Sequence, residues 1–382
     1  MAESITGKGV MTIGVDLGDK YSHSCVLDGD GIIVERARIR TTSEALKMRF
    51  GGIPQTRIAV EAGTHSAWVS RLLKECGHEV LVANPRKLRL VYENNRKDDE
   101  VDAEYLARLA RLDPKLLSPI VHRSAAVQQD LAVLRARDSL VRARTKLINH
   151  VRGAIKAVGQ RLPSMSTDAF GRKAGTAIPG ELRPALEPLT VAISTLTEQI
   201  LRHDRWVEHE AQDRYPQSAL LRQVTGVGPL TSVAYVLTVE DPKRFSDSRM
   251  VGAYLGLTPK RAQSGDTDPQ LRITKAGDGF LRRLLVGSAQ YILGPFGPDT
   301  DLRRWGRAVA ERGGKTAKKR AVVAVARKLA VLLHRLWITQ GVYEPLRKTK
   351  GKLKAEESKG LTPVPLPLDK RSQAEGGGGT GL

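Results

Sequence analysis

The chain has 382 residues and carries 62 Lys and Arg against 41 Asp and Glu, a formal net charge of +21, so a polyanion is its default partner. It is 41% hydrophobic, enough for two or three domain cores of ~150 residues each, yet only 4% aromatic, too few rings for recognition by serial base stacking. Two cysteines, Cys25 and Cys76, exclude a disulfide framework and a cysteine zinc site, and no apolar run approaches the ~20 residues of a membrane span. The segment Met1–Met11 lacks an apolar signal core, which predicts a cytoplasmic protein. Thr12–Leu17, Ser22–Leu27 and Ile32–Ile39 read as a three-strand meander, the last two strands joined by Asp28-Gly29-Asp30-Gly31. Ser43–Phe50 reads as a short helix behind a Ser/Thr cap, Arg57–Ala62 as a buried strand, His65–Cys76 as an amphipathic helix and Glu79–Ala83 as another strand. Asp99–Leu112 is a strongly periodic helix with Val101, Tyr105, Leu106 and Leu109 on its apolar side. This β-β-β-α-β-α-β-α order predicts an α/β domain with a mixed sheet, closing near residue 112.

The middle of the chain is helical. Ala125–Gly159 carries Arg135, Arg137, Arg142, Arg144, Lys146, Arg152 and Lys156 on one long pattern. A second helix, from about Leu186 to Glu210, spaces Leu186, Leu189, Ile193, Leu196, Ile200 and Val207 by three and four, with His203 at the one polar position of this heptad seam. The seam predicts either a helical hairpin within the chain or a coiled coil pairing two chains. Pro163, Pro179 and Pro184, with several glycines, make a loop or hinge between the helices. From Ser218 a third, mostly helical unit runs to about Val342, and the Lys, Pro and Gly beyond Tyr343 predict a disordered basic tail. The expected domains are therefore 1–115, 116–215 and 216–344, followed by the tail 345–382. Residues 1–110 hold 16 basic and 16 acidic side chains, so the whole excess of charge lies in the rest.

Four acids stand out by placement. Asp16 ends the first strand in Ile13-Gly14-Val15-Asp16, Glu61 ends the fourth in Ile58-Ala59-Val60-Glu61, and Asp99 and Asp102 share one face of the last helix. A carboxylate following an apolar strand stands at the carboxyl edge of the sheet, where open α/β folds place ligands. Four such groups converging would repel unless cations neutralised them, and a pair of Mg²⁺ ions, with Mn²⁺ as an alternative, suits hard oxygen ligands and phosphoryl chemistry. The plainer reading gives Asp99 and Asp102 to the helix N-terminus, whose dipole favours acids. Ile13–Gly18 also resembles the first phosphate loop of actin-like ATPases and sugar kinases, but the second phosphate loop and adenosine strip that those need do not follow. In the third unit Gly226-Val227-Gly228 resembles a helix-hairpin-helix turn, which aims backbone N–H groups at a phosphate; an ordinary tight turn is the alternative. Arg142, Arg144, Arg261, Arg272, Lys275, Arg282 and Arg283 are the candidate backbone-binding cations. Ser264, beside Gly265 and without a His nearby as base, reads by itself as a solvated turn residue.

Taken together, the four acids, the linker helix and the run Gly226-Val227-Gly228, Gly256-Leu257-Thr258-Pro259, Gln263-Ser264-Gly265 and Ile273-Thr274-Lys275-Ala276-Gly277-Asp278 resemble the DEDD-type insertion-sequence transposases of the IS110 group, themselves similar to Piv-type DNA invertases. The resemblance covers roughly residues 11–340 and is most specific over Lys97–Ala103 and Gly252–Arg283. Two departures stand in it. Asp98 replaces the Thr of the family's Lys-Thr-Asp-x-x-Asp-Ala, and Gln263 replaces the first Ser of the Ser-Ser-Gly that many members carry, so Ser264 alone can match the nucleophile.

The resemblance implies a RuvC-like N-terminal domain of RNase H fold, a coiled-coil linker and a mainly α C-terminal transposase domain. It implies that Asp16, Glu61, Asp99 and Asp102 bind Mg²⁺ and that Ser264 joins covalently to DNA during excision and integration. It further implies a non-coding bridge RNA from the element and a bacterial, nucleoid-associated setting. The acids and Ser264 fall in different domains, and a homo-oligomer, dimer or tetramer, pairing along the 186–210 seam offers a way to join them. Three other readings remain: a protein-guided invertase with the same acids, a RuvC-like junction resolvase that does not need Ser264, and a nucleic-acid-binding scaffold without turnover.

Overall fold

Apolar residues alternate along Thr12–Asp16 (β1), Tyr21–Leu27 (β2) and Ile33–Arg40 (β3), and the three strands pair antiparallel as a meander. Ser43–Phe50 (α1) then crosses to Arg57–Glu61 (β4), and Ser66–Glu75 (α2) to Glu79–Ala83 (β5), as parallel strands require. The sheet order is β3-β2-β1-β4-β5, with β1 parallel to β4 and β4 to β5. This mixed sheet is compatible with an RNase H-like domain. The computed structural model describes residues 11–88, 98–269 and 271–347, which fall into two units, Met1–Asp130 and Leu131–Leu382.

Strand alternation gives the sheet two covered faces. Ile13, Val15, Ile58, Val60 and Val82 point to α1 and α2, where they meet Leu46, Phe50, Val69, Leu72 and Leu73. The opposite face presents Gly14, Cys25, Leu27, Ala59 and Ala83 to the helix Asp99–Leu112 (α4), which follows a single turn at Pro85–Leu88 (α3). Gly14 is required there: a Cβ would overlap the Ala103 carbonyl and the Ala107 backbone nitrogen. The small residues Gly14, Ala103 and Ala107 thus let α4 lie directly on β1. The unit runs on past residue 112, because Asn84 N–H bonds the Leu117 carbonyl at 2.9 Å and Ile120 N–H bonds the Val82 carbonyl at 2.8 Å.

The second unit opens with an antiparallel helical hairpin. Ala125–Ala157 (α5) and Arg183–Asp213 (α7) run alongside one another, with Arg137 on Asp204 at 2.6 Å and Arg144 on Thr197 at 3.2 Å. Toward the closed end Ile148, Val151 and Ile155 pack with Leu186 and Ile193. The expected loop between the helices contains a further helix, Thr167–Ala174 (α6), whose Phe170 and Ala174 complete that core. The heptad seam is therefore covered within the chain, the hairpin of the two expected readings. Its buried line differs, running Leu186, Thr190, Ile193, Thr197, Ile200 and Val207 and leaving Leu189 and Leu196 half-buried.

The remaining helices are Ser218–Arg222 (α8), Pro229–Val239 (α9), Arg249–Tyr254 (α10), Gly279–Leu293 (α11), Asp301–Glu311 (α12) and Ala317–Thr339 (α13). α9 is buried from Thr231 to Val239, and its Tyr235 hydroxyl donates to the Ala330 carbonyl at 2.7 Å. Asp301 N–H holds the Pro345 carbonyl at 2.8 Å, so the chain is tied down at the start of the expected tail; from residue 348 that tail lies outside the described residues. No helix among the described residues is long and apolar enough to cross a membrane.

Candidate functional site

The order of the strands decides where the first two acids meet. Asp16 ends β1 and Glu61 ends the neighbouring parallel β4, so both stand at the carboxyl edge of the sheet. Asp99 and Asp102 lie in the first turn of α4, over the same edge. The cap itself is made by Asp98, whose side chain accepts from Glu100 N–H at 3.1 Å. Asp and Thr are both good N-caps, which explains why Asp98 can stand in the family's Thr position. Lys97, the start of that motif, lies outside the described residues.

Asp16 records the convergence. Burial, then the charges of Asp99, Asp102 and Glu61, push its carboxyl up to about 6, while His23 pulls the other way. His23 stands opposite Asp16 in the β1–β2 register, with Nδ1 3.6 Å from Asp99 Oδ2. Sequence reading passed over His23, because only the strand register puts it beside the acids. Among the described residues no three His, Cys, Asp or Glu side chains gather closely enough to hold a metal ion. The four acids nevertheless act on one another electrostatically, as the raised Asp16 carboxyl shows.

Ser264 belongs to the second unit. Lys260 N–H bonds the Arg272 carbonyl at 2.9 Å and Thr274 N–H bonds the Thr258 carbonyl at 2.9 Å, so the polar stretch forms an antiparallel ribbon. At its tip Ser264 and Thr267 exchange two backbone bonds of 3.1 Å, and residues 259–269 are all exposed. The most distinctive motif residues build the base of this ribbon. Gly277 has φ +67, and a Cβ there would overlap the Tyr254 carbonyl. Asp278 caps α11 by accepting from Leu281 N–H at 2.8 Å and receives Arg135 at 2.9 Å.

Two of the expected nucleic-acid contacts need correction. Arg144 is buried in the helical hairpin, donating to Asp168 at 2.7 Å and to Thr197, so it is not presented to a phosphate. Arg282 is half-buried and clamps the ribbon base through the Leu255 and Ala276 carbonyls at 2.9 and 2.8 Å. Arg261, Arg272, Lys275 and Arg283 are exposed, as is Arg142. Arg283 and Arg142 share Asp138 at 2.6 and 3.2 Å. Gly226 and Gly228 form the turn between α8 and α9 and line an open groove with Thr231, Arg283 and Tyr291. α8 has only five residues, so a helix-hairpin-helix is not established by this geometry.

Comparison with known proteins places this arrangement. Residues 13–159 match the family model for DEDD-type IS110 transposases, and residues 218–300 match the model of the transposase IS116/IS110/IS902 family. A probable family 20 transposase of Pseudomonas aeruginosa is 28% identical over 87% of this chain and 98% of its own length. The transposase for insertion sequence element IS1111A of Coxiella burnetii is 26% identical over 88% of this chain and 92% of its own. A putative transposase of Sinorhizobium fredii, y4pF/y4sB, is 30% identical over 79% of this chain and 77% of its own. The protein is thus a transposase, an enzyme of DNA recombination. More narrowly, the chain belongs to the IS110 family of insertion-sequence transposases.

Proposed function

We propose that this transposase excises and integrates its element by Mg²⁺-dependent strand cleavage at Asp16, Glu61, Asp99 and Asp102, with Ser264 as the nucleophile and an RNA from the element as guide. The observation that carries the reading is the Asp16 carboxyl, raised to about 6 by burial and three neighbouring acids, a repulsion that a divalent cation would relieve. The donors are all carboxylate oxygens, which suit Mg²⁺ or Mn²⁺ better than softer ions. When bound, the metal would polarise the phosphoryl oxygens and stabilise the charge that builds on them.

Ser264 offers its hydroxyl at the tip of an exposed ribbon. Its Oγ would attack phosphorus and release its proton to solvent. The bond from phosphorus to the leaving strand then breaks, and the departing oxygen takes up a proton. The phosphoryl group stays on Ser264 until a hydroxyl of the new strand attacks the same phosphorus and frees the serine. Each broken phosphodiester is replaced by another ester, so no nucleotide need be hydrolysed. The exposed Arg261, Arg272 and Lys275 would hold backbone beside the tip, and Gly226, Gly228 and Arg283 a phosphate in their groove.

Junction DNA incubated with Mg²⁺ and the full-length protein tests the reading. The wild type should yield a denaturation-resistant protein–DNA adduct and exchange strands. Ser264→Ala should yield neither, and Asp16→Asn should lower both by at least ~10²-fold. Strand exchange by Ser264→Ala would overturn the serine's role, and cleavage without any adduct would favour a plain metal-dependent nuclease. Sequencing of co-purified RNA tests guidance: one structured RNA encoded beside the gene supports it, and random fragments count against it.

A further inference from the structure

The turn from β4 into α2, Glu61-Ala62-Gly63-Thr64-His65-Ser66, is built more firmly than a surface turn requires. Gly63 N–H donates to Ser66 Oγ at 3.0 Å, and the same oxygen lies 2.8 Å from the Gly63 carbonyl and 2.9 Å from His122 Nε2. Within this frame His65 occupies the N-cap of α2, a position that favours Ser, Thr, Asp or Asn, yet its side chain caps nothing. Instead, Trp68 Nε1–H donates to His65 Nδ1 at 3.1 Å, with the two rings edge to face at 87°. An indole N–H can only donate, so Nδ1 is an acceptor and the proton of the neutral imidazole stands on Nε2. Nε2 lies 3.7 Å from Asp19 Oδ1 on the loop after β1, too far for a hydrogen bond. β1 and β4 are parallel neighbours, so the loops that carry Asp19 and His65 leave the sheet at the edge where Asp16 and Glu61 end. We propose that His65 is a further catalytic residue, whose Nε2–H donates a hydrogen bond to a non-bridging oxygen of the phosphate that reacts at this edge. The inference rests on the proposed function only for phosphoryl chemistry taking place there.

Phosphoryl transfer spreads negative charge over the non-bridging oxygens, and a donor already fixed in place stabilises that charge without reorganising. The ring keeps its proton throughout: it donates a hydrogen bond and transfers nothing. A Lys or Arg here would pair with the neighbouring acids, whereas a neutral imidazole leaves their carboxylates free and still serves the phosphate. The plainer reading is that His65 merely satisfies the Trp68 N–H at the surface of the fold. Any acceptor at position 65 would do that, and a capping side chain there would serve α2 as well. The two readings therefore part on what happens when the Nε2–H donor is removed and the cap improved.

The test compares the full-length wild type, His65→Ser and His65→Gln in single-turnover reactions with junction DNA and Mg²⁺, reading strand cleavage, adduct formation and melting temperature. Serine restores a capping hydroxyl but no donor at the Nε2 position, whereas the amide nitrogen of glutamine comes close to it. At saturating DNA His65→Ser should react ~10²-fold more slowly than the wild type, with a melting temperature level or higher. His65→Gln should recover at least ~10-fold of that loss. A wild-type rate in His65→Ser, or losses of equal size in the two variants, overturns the inference. Nitrogen-15 spectra of the imidazoles, with His65 assigned from its absence in His65→Gln, give a reading independent of turnover. They should show Nδ1 bare and Nε2 protonated, and the Nε2–H signal should shift when junction DNA is added with Ca²⁺ in place of Mg²⁺. The opposite tautomer, or no shift, also overturns the inference. A wild type that neither cleaves DNA nor forms an adduct counts against the proposed function, and the shift then still decides whether His65 meets a phosphate.

Discussion

Asp16 is the residue on which the chemistry turns, and its raised pKa has a consequence for stability. Below the unfolded value of 3.8 the carboxyl is protonated in both states and contributes nothing. Between there and about 6 the unfolded chain ionises while the folded one holds its proton, so stability falls as pH rises and the penalty is complete above about 6. Asp16→Asn should therefore melt higher than the wild type at pH 7 in chelator, and the gap should close between pH 6 and pH 4. Added Mg²⁺ should raise the wild-type melting temperature more than that of the variant. Arginines of similar appearance divide at this scale. Arg144→Ala should cost about 1–3 kcal/mol, because it removes a buried side chain and leaves Thr197 without the hydrogen bond it accepts, whereas Arg142→Ala, on an exposed side chain, should change stability by less than about 0.5 kcal/mol. Denaturant melts of the two variants separate these outcomes.

Among the elements, α4 on β1 and the ribbon do the positioning. Gly14→Ala would drive a methyl into the backbone of Ala103 and Ala107, lifting the helix that carries Asp99 and Asp102. The expected cost is about 2–3 kcal/mol, typical of overpacking. NMR titration should also show the Asp16 pKa falling back toward the ordinary carboxylate range as two of its neighbours withdraw. In the ribbon, Gly277→Ala meets both the Tyr254 carbonyl and a φ of +67. Limited proteolysis should then cut within 259–272 faster than in the wild type, because the ribbon's base is disturbed while its tip is already exposed. An unchanged cleavage rate would mean that the base does not hold the ribbon.

For the molecule as a whole, the neutral charge of residues 1–110 and the excess beyond them nearly follow the structural division at Asp130. Each unit has its own core, so calorimetry should resolve two transitions. Asp16→Asn and Mg²⁺ should move only the transition of the first unit, and Arg144→Ala only that of the second. A single transition shifted by both would show that the two cores unfold together.

Much of this was legible in the chain itself. The strands and helices of the first unit follow from period-2 and period-3.6 patterns, and Asp16 and Glu61 were found because a strand that ends in an acid is a local signal. The charge division and the family resemblance were likewise properties of the sequence. What it left open was every question of partner. A heptad seam states that an apolar stripe must be covered but not by what, and the fold covers it with α5 and α6 of the same chain. Arg142 and Arg144 look alike along the helix, yet one is exposed and the other enclosed. His23 is an ordinary strand residue until the β1–β2 register sets it opposite Asp16. The local pattern fixed which elements form and where the charge lies; only tertiary structure decided which faces, acids and cations meet, because burial and electrostatic coupling depend on distances between residues far apart in the chain.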